Sequence, residues 1–90
     1  MIAPNLPGAD LVETGLRDLA TGLESIESLL VSMSAPRLRA LGFDVPAPLD
    51  SAELRLYRIL ADQHGLAAHS RYNALVRRIV SFQRAAACAN

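Results

Sequence analysis

Seven apolar residues between positions 12 and 33 follow one another at intervals of four, three, four, three, four and three: Val12, Leu16, Leu19, Leu23, Ile26, Leu30 and Met33. Intervals of three and four put side chains on one face of an α-helix, and their alternation over three heptads describes a packing seam. The spacing predicts a helix over 10–32 whose seam runs roughly 32 Å and needs a second helix to cover it. Asp10 and Glu13 have the spacing of a capping box at its start. Gly15 and Gly22 lie a heptad apart beside the seam, where each costs about 1 kcal/mol relative to alanine in a helix interior. They are expected either to admit a close neighbouring backbone or to be tolerated surface glycines.

The rest of the chain reads as further helices. Residues 1–9, with two prolines and a glycine, form an irregular arm. Ser34 and Pro36 open a short helix over 35–41. Gly42 closes it, and Phe43 is set to fold back on Leu38 in a Schellman ending. Pro46 and Pro48 force the next segment into a loop. Asp50 and Glu53 repeat the capping-box spacing at the head of a helix over 51–64, which Gly65 closes. That helix carries two apolar stripes, Leu54, Tyr57 and Ala61 on one side and Leu56, Ile59 and Leu60 on another, so it is expected to be flanked twice. A last helix over 67–87 repeats the opening rhythm through Ala68, Tyr72, Leu75, Ile79, Phe82 and Ala86. Residues 86–90 are expected to fray. Tyr57 and Tyr72 are expected to pack in the core with their hydroxyls at its edge.

The expected fold is therefore all-α: one domain over 1–90, built as a small bundle of three longer helices, one short helix and a proline-containing loop. Ninety residues leave little room for a second domain. The formal net charge of zero argues against a strong overall field towards nucleic acid or anionic lipid. It conceals an asymmetry, because residues 10–33 sum to −4 and residues 66–87 to +4. The four cations of the last helix, Arg71, Arg77, Arg78 and Arg84, are expected to pair with the acids of the first ahead of binding a polyanion. No apolar run approaches a membrane span and no signal peptide is visible, so a soluble cytoplasmic protein is expected.

Motifs for chemistry are sparse. One cysteine, Cys88, rules out an internal disulfide and a multi-cysteine metal site. His64 and His69 have no Cys or acidic cluster beside them, and no catalytic serine order, glycine-rich phosphate loop or spaced carboxylate pair occurs. No catalytic residue, metal or cofactor is expected. Arg58 and His64 resemble, in spacing, the Arg-(four to six residues)-His motif of HEPN-type ribonucleases. Those are α-helical domains that often act as dimers. The resemblance covers seven residues, has Ile59 where that family usually has a polar residue, and implies a small ribonuclease using those two side chains.

Three functions are therefore carried forward in order of expectation. The first is a non-enzymatic helical protein–protein interaction module, an adaptor or regulatory small protein. It is expected to be a homodimer with the helix over 10–32 or 51–64 at its interface, and a further protein partner is allowed for. The surface for a second molecule is assigned to Leu11, Gly15, Gly22, Leu29, Leu56 and Ile59, the apolar and glycine positions left over by the seam. The second is a nucleic-acid-associated protein using Arg71, Arg77, Arg78 and Arg84. The third is the HEPN-like ribonuclease.

Overall fold

In the computed structural model, which describes residues 5–89, the seam from Val12 to Met33 does not lie on one helix. It is folded in two. Helix α1 spans Ala9–Ala20, the chain turns through Thr21–Ser25, and α2 spans Ile26–Met33. Gly22 decides the break. Its φ of 73° is left-handed, and its N–H donates to the Leu19 carbonyl while that of Leu23 donates to the Asp18 carbonyl. Those two bonds are a Schellman ending, which satisfies carbonyls that a helix end otherwise orphans. Ser25 then starts α2 with a reciprocal cap. Its hydroxyl accepts from the Ser28 N–H and donates to the Asp18 carboxylate, and the Ser28 hydroxyl accepts from the Ser25 N–H. The expected continuous helix over 10–32 is thus an αα-hairpin, because a glycine costly inside a helix is favoured just past its end.

Helix α2 occupies the middle of the molecule. Five successive residues, Ser28 to Ser32, are buried, so α2 is enclosed on every side. Helix α1 packs chiefly on α2 and only lightly on the last helix, α5, which spans Ala68–Ala89. The short α3, Ala35–Ala40, ends as the sequence indicates. Gly42 has φ 96°, and the Phe43 N–H donates to the Leu38 carbonyl at 3.0 Å. The Phe43 ring lies 5.5 Å from that of Phe82, centroid to centroid, and Phe82 is fully buried on α5. The proline loop is anchored twice. Arg39 donates to the Val45 and Pro46 carbonyls, and the Ser32 hydroxyl accepts from the Leu49 N–H.

Helix α4, Ala52–His64, packs on α2 and α5, and a single 3₁₀ turn, Gly65–Ala67, joins it to α5. Neither expected carboxylate capping box forms. Gly8, with φ 76°, precedes α1, and Ser51, with φ 52°, precedes α4, both without a side-chain cap. Asp10 instead reaches Arg78 of α5, and the Asp50 carbonyl accepts from Arg55. Residues 5–8 are irregular, as expected, yet Leu6 packs on the core; residues 1–4 lie outside the described residues. Fraying is the expectation for 86–90, of which the structure describes 86–89. Ala86 is buried and α5 continues to Ala89; Asn90 lies outside the described residues. The fold class is that of a small all-α bundle.

Candidate interaction site

The two apolar stripes of α4 fix where the molecule presents an apolar surface. Leu56 and Leu60 turn inward with Ala52 and are fully or nearly fully buried, and Ile59 is half-buried. The other stripe faces solvent: Leu54 is 55% exposed and Tyr57 38% exposed. The sequence reading had Leu56 and Ile59 as the outer side, and the structure inverts that assignment. Branched aliphatic side chains four residues apart bury more apolar area per helix turn than a tyrosine and an alanine do, so they take the core.

Leu54 and Tyr57 stand over an open groove of about 800 Å³. Its other walls are Met33 at the end of α2, Leu49 of the proline loop, and His69 and Tyr72 of α5. The Tyr57 ring lies 5.7 Å from Tyr72 and 6.5 Å from His69, tilted against them by 54° and 53°. Glu53 adds a carboxylate at the rim. Burial, and then the charge of Glu53, raise the Tyr72 hydroxyl above the ordinary tyrosine value of 10.0. Tyrosines and leucines around a concave surface, with one charge at the edge, resemble the composition of the anchoring part of protein interfaces. Tyr57, expected in the core, stands instead at the surface of this groove.

A second groove, of about 610 Å³, runs between α3 and α5. Arg37 and Arg84 flank it, Leu41 and Val80 floor it, and Gln83 lines it while only 8% exposed. The other arginines of α5 are dispersed. Arg78 is committed to Asp10 at 3.1 Å, the one ion pair between the first and last helices among the described residues. Arg77 donates to the Asn73 carbonyl of its own helix, and Arg71 is exposed. The remaining ion pair joins Arg55 of α4 to Glu24 in the α1–α2 turn.

The expected surface for a second molecule is largely interior. Leu11, Gly15, Leu29 and Leu56 are buried, and Gly15 lies against Glu27 and Val31 of α2. Gly22 is exposed but serves the turn, and Ile59 is half-buried. What the sequence lacked was the hairpin: once the seam closes on itself, its flanks become core.

Arg58 is exposed and His64 half-buried, six residues apart on α4. That offset separates them by about 120° around the helix and about 9 Å along it. Among the described residues no three His, Cys, Asp or Glu side chains cluster to hold a metal ion. No helix among them is long and apolar enough to cross a membrane. Comparison with known protein families, characterised proteins and solved structures gave no match.

Proposed function

We propose that this chain is a non-enzymatic helical interaction module that docks a protein partner in the groove between α4 and α5. The observation that carries the reading is the exposure of Leu54 and Tyr57 over an apolar groove, in a molecule whose other leucines of α1, α2 and α4 are mostly spent on the core. Two large side chains held on a rigid helix lose little conformational freedom on binding, which makes them effective anchors. The lone exposed thiol, Cys88, suits a reducing compartment, and the reading takes the module to act in the cytoplasm.

A benzophenone amino acid placed at position 57 tests this in the living cell. Irradiation is expected to join the chain to another protein chain, while the same group at exposed Arg77 gives no comparable product. Absence of any product at position 57 overturns the reading. Nucleic-acid binding takes second place because Arg78, one of the four arginines of the basic stretch, is already paired with Asp10.

A further inference from the structure

The exposed stripe of α4 carries its own charge complement. Counting along the helix, Glu53, Leu54, Tyr57 and Arg58 are all exposed. With 100° per residue, Leu54 and Tyr57 make a narrow apolar line, and Glu53 and Arg58 stand about 70° to either side of it. Ala61, also exposed, continues the line one turn further. This is the pattern of paired parallel helices: apolar residues at the two seam positions, an acid before the first and a base after the second. Neither Glu53 nor Arg58 has an ion-pair partner within its own chain among the described residues, where the pairs are Arg55–Glu24 and Arg78–Asp10.

Resting on the reading of this groove as a protein-docking site, we propose that its occupant is a second copy of the chain, held by parallel pairing of the two α4 helices. A twofold axis along the helices brings Leu54 against the partner's Leu54 and Tyr57 against the partner's Tyr57. It also sets Glu53 across from the partner's Arg58, five residues on, and repeats that pair on the other flank. Small Ala61 lets the two backbones approach at the C-terminal end. The charges select this partner. A copy supplies both complements at once, and a twofold interface needs one self-complementary patch.

Sedimentation of the purified protein from about 1 to 100 µM reads the assembly, since dimer population depends on protomer concentration. The expected result is a dimer whose dissociation constant rises about tenfold in Glu53→Arg and in Arg58→Glu, each of which turns two attractions into two repulsions. The double variant with both changes exchanges the charges and is expected to recover to within about threefold of the original. Circular dichroism melts of these surface variants confirm that each is folded. A monomer across the range overturns the dimer, and so does a double variant no better than the singles. The two levels separate cleanly with the position-57 crosslink. A product of twice the chain mass supports the pairing, a product with a different protein overturns the pairing and keeps the module, and no product overturns both.

Discussion

Gly15 of α1 faces the Glu27 carbonyl of α2 so closely that a Cβ built on Gly15 would stand 2.5 Å from that oxygen and 2.5 Å from the Val31 Cγ2. No real side chain tolerates such a distance to backbone, so the hairpin is held at a separation only glycine permits. Gly22, a heptad later, has nothing within 4 Å of such a Cβ, and its requirement is the left-handed φ of 73° alone. The two glycines look alike in sequence and do different work.

Alanine at each position should therefore give unequal losses. Gly15→Ala forces α1 and α2 apart and is expected to cost about 3 kcal/mol, as overpacked cores do. Gly22→Ala places one residue in the left-handed region and is expected to cost about 1 kcal/mol. Denaturant melts of the two variants check the order, and equal losses would contradict the close approach.

The contrast shows what the sequence made readable. The Gly42–Phe43 ending of α3 was legible because Pro46 and Pro48 follow it and no apolar periodicity competes. Gly22–Leu23 ends α1 with the same pair of backbone bonds. There the seam residues Leu19, Leu23 and Ile26 keep their spacing across the turn, so periodicity outweighed the local signal. Ser25 and Ser28 before an apolar run were the second clue to the break. The candidate site was half legible: both stripes of α4 follow from spacing, but which one faces inward depends on packing against α2, a relation between residues far apart in sequence.

Ser32 joins the proline loop to the core. Its buried hydroxyl donates to the Ser28 carbonyl and accepts from the Leu49 N–H. Ser32→Ala leaves that N–H without its acceptor and is expected to cost about 1–2 kcal/mol. Amide hydrogen exchange should show the change as faster exchange at Leu49, with the amides of α1 affected only through the global loss of stability.

Gln83 presents the opposite case. It is 8% exposed and lines the grooves on both sides of Arg37. Holding an amide at that depth sacrifices hydration. Gln83→Leu keeps the volume and removes the polar group, and is expected to raise stability by about 1 kcal/mol in a denaturant melt. A loss of similar size would show that the amide has a structural partner after all.

Tyr72 gives the groove a pH dependence. Burial, and secondarily the Glu53 carboxylate, hold its hydroxyl above 10.0 in the folded chain. The unfolded chain then ionises first as pH rises. The contribution to stability is full below about pH 10 and is lost as pH climbs through the higher folded value. With its ring half-buried against the core, the change is best read spectroscopically. Phenolate absorbance should show one tyrosine titrating later than an ordinary one. Glu53→Gln removes the charge but not the burial, so it should move that titration part of the way back towards 10. Tyr72→Phe should remove the late component altogether, and a late component that survives Tyr72→Phe would overturn the assignment.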